Sequence, residues 1–419
     1  VSQGQWITSG YSLAMGIMMP LTAFLITRCP TKKLYISAIG IFLAGLAVCI
    51  FATNFPVMMI GRILQACSNG ITTSMAQVVL LTIYPPEKRG TVMGWYGLSV
   101  GAAPVIAPTI AGVLVDTLGW RTIFVIAFAV LLASFVLAVC VFDDVLETHV
   151  KKFDIYSFIL SAFAFGGITL GIGNISSMGI TSVMTVLPLV VGMITGVMFT
   201  QRQLHLDEPF LNVRTLKVHD YRISVIGSMM LYLVMMGSAV IMPLYVQNIL
   251  GKSATVSGLV TLPGSLAMAM ISPFAGKIYD KFGMKRLAVA GTVMMMASTL
   301  GMSFITAETS IVVASVLNVV RSIAIGCLMM PFVTFGISSM GTENTAHGTA
   351  LLTSLRTIAG AIGTAVFVGI LNVVSDSSRA ASYGNAGIYG LRVAFVCMTA
   401  VTVVMFIIML FGIKTGKHK

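Results

Sequence analysis

Pro56-Val-Met-Met-Ile-Gly61-Arg62-Ile-Leu-Gln65-Ala-Cys-Ser-Asn69-Gly70-Ile-Thr-Thr-Ser-Met-Ala-Gln77 is long enough to cross a bilayer, and one charge sits inside it. A guanidinium at that depth costs about 3 kcal/mol on insertion scales. A chain keeps one where it faces a cavity or a partner, so the stretch asks what surrounds Arg62. Gln65 is three residues on and shares its helix face. With Asn69 and Gln77 the two form a polar stripe on an otherwise apolar rod.

The rest of the chain has the same character. Its 419 residues are 57% hydrophobic and 9% charged, with mean hydropathy +0.98. Soluble domains are about 25% charged. The composition therefore predicts an all-α polytopic membrane protein. The net charge of +12 does not point to nucleic acid, because the basic residues fall in short loops between apolar runs. Cys29, Cys49, Cys67, Cys140, Cys327 and Cys397 are scattered, mostly within apolar runs and without CxxC spacing, so they read as small free hydrophobes and no metal site is expected.

At about 20 apolar residues per crossing, some thirteen spans emerge, at 5–27, 34–53, 56–83, 91–116, 121–142, 155–174, 180–200, 222–248, 255–276, 287–306, 310–338, 347–373 and 388–413. With residue 1 outside, the inner loops collect Arg28, Lys32, Lys33, Lys88, Arg89, Lys151, Lys152, Arg202, Arg214, Lys217, Arg222, Lys277, Lys281, Lys285, Arg286, Lys414, Lys417 and Lys419. The outer loops hold only Arg121, Lys252, Arg379 and Arg392. This bias puts the N-terminus of the chain outside and its C-terminus in the cytoplasm. An opening Val1 without a leader, and an odd number of spans, predict that one inside-to-outside helix precedes this sequence.

The longest polar connection, 201–221, reads as an amphipathic linker on the inner surface between two halves. A weak internal repeat accompanies it. Thr27-Arg28-Cys-Pro30-Thr-Lys32-Lys33 and Gly276-Lys-Ile-Tyr-Asp280-Lys281-Phe-Gly283-Met-Lys285-Arg286 are both basic inner loops, and the second span after each carries an arginine, Arg62 or Arg321.

The second of these loops resembles the loop signature of the major facilitator superfamily. Pro243-Leu-Tyr245-Val-Gln247-Asn248-Ile-Leu-Gly251 and Leu355-Arg356-Thr-Ile-Ala-Gly360-Ala-Ile-Gly363 extend the resemblance to its fourteen-helix drug:proton antiporter branch, the EmrB/QacA type. The resemblance implies two six-helix lobes plus two extra linker helices, with the first family helix missing. The N-terminal lobe would be 1–142, the extra helices 143–200, the cytoplasmic linker 201–221, the C-terminal lobe 222–413 and the tail 414–419.

It also assigns roles. Arg62, Gln65, Asn69 and Gln77 would serve proton coupling, the cation setting the pKa of a nearby carboxylate. Arg28, Lys32 and Lys33, with Gly276, Asp280, Lys281, Gly283, Lys285 and Arg286, would form gating loops that pair with helix ends in one conformation and release them in another. Thr27 stands where the family has Asp and Pro30 where it has Gly, which puts the first latch in doubt. Gly97, Gly101, Pro104, Pro108 and Gly112 resemble the antiporter signature, although Ala107 and Ala111 replace glycines. Small residues four apart let helices approach closely. Tyr232, Tyr245, Gln247, Asn248, Asn318, Arg321 and Arg356 are candidates for the substrate cavity, with snorkelling towards an inner helix end as the other reading of Arg356.

All thirteen Asp and Glu residues fall in loops or near span ends. A proton-driven carrier wants a buried carboxylate, and the resemblance implies that it lies upstream of Val1. The expected activity is secondary-active export of lipophilic or cationic drugs by alternating access in the plasma membrane, powered by the proton gradient without another cofactor. The resemblance implies a monomer partnered by the bilayer and its small-molecule substrate, and admits a membrane-fusion-type adaptor. Carriage of one specific metabolite, or a non-transporting sensor or scaffold, are the alternatives. No intramembrane His, Asp or Glu is available for acid–base chemistry, so an enzyme is not expected.

Overall fold

The computed structural model describes residues 2–146, 148, 153–179, 181–306, 308–376 and 385–413. The orientation residues Lys151, Lys152, Arg379, Lys414, Lys417 and Lys419, and the tail, lie outside them. The described residues form thirteen α-helices and no strand. These are α1 (Ser2–Arg28), α2 (Thr31–Ile50), α3 (Phe55–Ile83), α4 (Arg89–Leu118), α5 (Arg121–Val141), α6 (Ile155–Met178), α7 (Val183–His205), α8 (His219–Leu244), α9 (Ala254–Phe282), α10 (Met284–Ser303), α11 (Ile311–Ser338), α12 (Thr345–Ser375) and α13 (Ala386–Gly412).

Each helix coincides with one expected span. The cause is that a lipid-embedded backbone must satisfy its own polar groups, and a helix does this within one segment. Ten of the helices are long and apolar enough to cross a membrane. Large apolar side chains stand outward along α5, α6 and α7, among them Val130, Leu137, Phe163, Val183 and Ile194. A soluble surface would not carry such a continuous apolar face; a lipid-facing one would. The protein is a multi-pass membrane protein.

The helices group into two compact units. The first comprises Val1–Ile83, Ala107–Leu216 and Met340–Ser354, and the second Tyr84–Ile106, Lys217–Ser339 and Leu355–Lys419. In the first unit, glycines bring rods together. A methyl on Gly45 of α2 would stand 2.7 Å from the Gly61 carbonyl of α3, and one on Gly167 of α6 would stand 2.7 Å from the Pro188 carbonyl of α7. Ser68 Oγ donates to the Ala38 carbonyl at 2.6 Å, tying α3 to α2.

The connection after α7 differs from a surface-lying amphipathic linker. Helix α7 runs on to His205 and α8 begins at His219. Between them Phe210 and Leu211 are buried, because the Phe210 ring joins Phe24, Phe153 and Phe158 in an aromatic cluster and Gln203 Oε1 accepts from Leu211 N at 3.1 Å.

The core of the second unit is built on Leu231, Ile241, Tyr245, Phe332, Phe367, Phe395 and Met405. Pro243 lies in the last turn of α8, and the chain then passes through a π turn, Tyr245–Ile249, closed by Leu250 N donating to the Tyr245 carbonyl at 3.0 Å. Wide turns of this kind interrupt regular helices at functional positions. Here it leaves Gln247 and Asn248 exposed beyond the end of α8.

Candidate functional site

In the first unit, Arg62 is held rather than loose. Its guanidinium lies over the Tyr11 ring of α1, 4.5 Å from the centroid, and Nη1 donates to Gln65 Oε1 at 3.0 Å. Gln65 is 2% exposed, and its Nε2 points at Cys49 Sγ of α2, 3.3 Å away. Asn69 Nδ2 donates to the Tyr11 hydroxyl at 3.0 Å, and Thr73 Oγ1 donates to Asn69 Oδ1 at 3.2 Å. Arg62, Gln65 and Asn69 therefore form one network, as their i, i+3, i+7 spacing requires. Gln77 does not join it: it is 0% exposed and neither amide atom has a partner. Arg62 Nε is buried and unbonded, and among the described residues no carboxylate pairs with the guanidinium. Tyr11, Cys49 and Thr73 were not legible as members, because nothing local says which face of α1 or α2 meets α3.

The second unit repeats the device with its order reversed. Aligning the first residues of α3 and α11 sets Arg62 against Asn318, Gln65 against Arg321, and Gly70 against Gly326. In α11 the arginine comes second, and Arg321 Nη2 donates back to Asn318 Oδ1. Gly264 of α9 makes room for Asn318, since a methyl there would stand 2.6 Å from its Nδ2. Arg321 is 4% exposed, and its Nε and Nη1 have no partner.

Arg356 does not snorkel. It stands three turns into α12, roughly 16 Å from Thr345, and is 4% exposed. Its guanidinium lies over Tyr232 of α8, 4.9 Å from the ring centroid, and Nε and Nη1 are unbonded. Packing against α8 closes its route to water, which is why the helix-end reading fails. Tyr245 is also fully buried with an unpartnered hydroxyl.

The basic loop of the second unit, 276–286, makes a specific contact. The Asp280 carboxylate accepts from Gly90 N at 2.8 Å, Thr91 N at 2.7 Å and Thr91 Oγ1 at 2.6 Å. These are the free N–H groups opening α4, where a helix favours an anion. The approach depends on glycine, because a methyl on Gly276 would collide with the Gly90 carbonyl. Gly283 turns the chain with φ +76°, which favours glycine. Lys281 and Arg286 both lie over Phe282, whereas Lys285 is half-buried. Farther along α4, Gly97 faces Ser272 and Gly101 faces Ala269, both of α9, at 3.2–3.3 Å from a methyl placed on each glycine. Pro104, Pro108 and Gly112 fall in 104–113, whose side chains and packing lie outside the described residues.

In the first unit the corresponding loop is different. Thr27 Oγ1 turns back to the Ala23 and Phe24 carbonyls of its own helix, at 3.2 and 2.9 Å. Lys32 N donates to Asp144 Oδ1 at 2.8 Å, Arg28 lies over Phe24, and Lys33 is exposed.

Comparison with known proteins agrees with this architecture. The sequence profile of the Major Facilitator Superfamily matches residues 1–364. An uncharacterised MFS-type transporter of Bacillus subtilis, YcnB, is 35% identical over 407 residues, covering 97% of this chain and 86% of that one. The lincomycin resistance protein LmrB of the same organism is 34% identical over 374 residues, covering 88% and 77%. The multidrug export protein EmrB of Haemophilus influenzae is 25% identical over 382 residues, covering 87% and 72%. In fold, the chain is similar to the human organic anion transporter MFSD10, with TM-score 0.70 at 13% identity over 97% of this chain and 83% of that one. The chain belongs to the major facilitator superfamily, and its relatives there include the lincomycin resistance protein LmrB and the multidrug export protein EmrB.

Proposed function

We propose that this protein exports lipophilic small molecules across the plasma membrane by alternating access, driven by inward proton flow, with the Lys- and Arg-rich loops in the cytoplasm. The observation that carries the reading is Arg62. Gln65 and Tyr11 hold a cation at membrane depth, its Nε stays open, and no described acid neutralises it. Keeping that charge costs free energy that a structural role alone does not offset. A carboxylate arriving beside it would be held in the charged form, and would take up a proton as the guanidinium withdrew. The resistance and export functions named for LmrB and EmrB support a drug-like cargo. The protein works as a monomer and needs no bound cofactor.

The test is efflux of structurally unrelated dyes from vesicles holding the full-length protein, with and without an imposed pH gradient. Gradient-driven efflux should be lost in Arg62→Ala and partly kept in Arg62→Lys. Undiminished proton-driven efflux by Arg62→Ala would overturn the role of the arginine. Transport of a single compound class, with no dye flux, would favour a dedicated metabolite carrier.

A further inference from the structure

The α6–α7 hairpin carries a cleft that the transport reading does not use. It has a volume of about 570 Å³, lies where α6 begins and α7 ends, and is lined by Tyr156, Leu160, Met198, Gln201, Arg202, His205 and Leu206. We propose that it holds the phosphodiester headgroup of an anionic phospholipid from the leaflet on the Lys- and Arg-rich side.

The polar lining is made for an anion. Arg202 is pinned along one edge: Nε and Nη2 donate to Asp154 Oδ2 at 3.1 and 2.9 Å, Nε also reaches Ser157 Oγ at 3.1 Å, and the Tyr156 ring lies 4.9 Å from its carbon centre. That leaves Nη1 for a ligand. A guanidinium fixed in this way loses little freedom on binding phosphate. His205 Nδ1 lies 2.8 Å from the Gln201 carbonyl, which can only accept, so Nδ1–H donates there and fixes the ring among the lining residues. Among the described residues, no carboxylate lines the cleft. Asp154 is already engaged by Arg202 and Ser157, and Asp207 and Glu208 lie beyond the lining residues.

The apolar side makes the ligand a lipid rather than a free ion. Leu160, Met198 and Leu206 complete the lining. Along the same two helices Ile155, Ile159 and Phe163 of α6, and Ile194 and Val197 of α7, stand exposed in a chain that spans the bilayer. A headgroup in the cleft would leave its acyl chains against this face. Basic sites between transmembrane helices recognise phospholipid headgroups in this way.

The experiment is native mass spectrometry of the full chain purified in mild detergent, read for bound phospholipid and independent of any transport assay. One phosphatidylglycerol should be retained in preference to phosphatidylethanolamine. Losing one charge-assisted hydrogen bond should lower retention about tenfold in Arg202→Gln. Because that variant also frees Asp154, Met198→Trp serves as the second arm: it fills the cleft with the ion pair intact and should lower retention equally. Unchanged lipid retention in Met198→Trp would overturn the site, as would inorganic phosphate alone displacing the lipid at millimolar concentration.

Discussion

The two basic loops of this protein, 27–33 and 276–286, share a pattern and differ in what they can grip. In the second unit, Gly276 of α9 lies against Gly90 of α4, and Asp280 reaches the opening N–H groups of that helix. In the first unit, Ala23 holds the place of Gly276 and Thr27 that of Asp280. At the start of α12, Ala346 corresponds to Gly90, and it packs in the cluster of Ile26, Leu34 and Met75. Three positions have changed together. A methyl on either rod keeps the backbones apart, and a carboxylate one turn on then has no N–H within reach. The acid is useful only where glycines let it approach, so its loss and theirs are one change rather than three.

The harshest way to break this comparison is Gly276→Ala. Its new methyl meets backbone, which cannot rotate away, so a loss of about 3 kcal/mol is expected, seen as failure to recover folded protein or a sharply lowered Tm. Ala23→Gly in the other loop should cost about 1 kcal/mol or less. Equal tolerance of the two would remove the distinction.

Next comes Asp280→Ala, which strands buried donors at the head of α4. A loss of about 2–3 kcal/mol is expected, together with most of the efflux. Thr27→Asp should restore nothing while Ala23 and Ala346 remain. A gain in stability from Thr27→Asp alone would show that proximity is not what limits the first loop.

Arg356→Gln sharpens the contrast between groups kept for structure and groups kept for cargo. Replacing a buried cation that no described acid pairs with should leave Tm unchanged or raise it, by up to about 1 kcal/mol of stability, while efflux falls. A falling Tm in thermal unfolding would instead make Arg356 a structural post.

The smallest effect is expected at Asp154, a half-buried pair with Arg202. Burial pushes its carboxyl up, but hydrogen bonds from Ser157 and Arg202, and the charge of Arg202, outweigh this and hold it below the usual carboxylate range. A lowered folded-state pKa lends stability above the unfolded value, about 3.9, and loses it as pH falls through the folded one. Asp154→Asn should therefore cost under about 1 kcal/mol at neutral pH. The gap from the parent should close in strong acid, as followed by Tm against pH.

The spans were legible because the cost of unpaired backbone in lipid makes hydrophobic length a nearly sufficient signal. Arg62 with Gln65, and Asp280 with its glycines, were legible because few residue types can do what those positions demand. What could not be read was pairing between distant rods. Tyr11 beneath Arg62 and Tyr232 beneath Arg356 are aromatic residues in apolar runs, with nothing local to set them apart from the others there. Gln77 shows the converse, since the sequence spacing grouped it with Asn69 and packing left it alone. Phe210 was hidden for another reason: the polar residues around it mark a surface loop, and only the aromatic cluster on α1 and α6 draws it inward.

Arg321 and Arg356 carry one more consequence. A buried positive charge with no acid beside it among the described residues stands in the electric field of an energised membrane. Moving one such charge across the whole field involves about 2.3 kcal/mol per 100 mV. Any working stroke that shifts α11 or α12 along the membrane normal would therefore perform electrical work, and turnover would respond to voltage even at matched pH on the two sides.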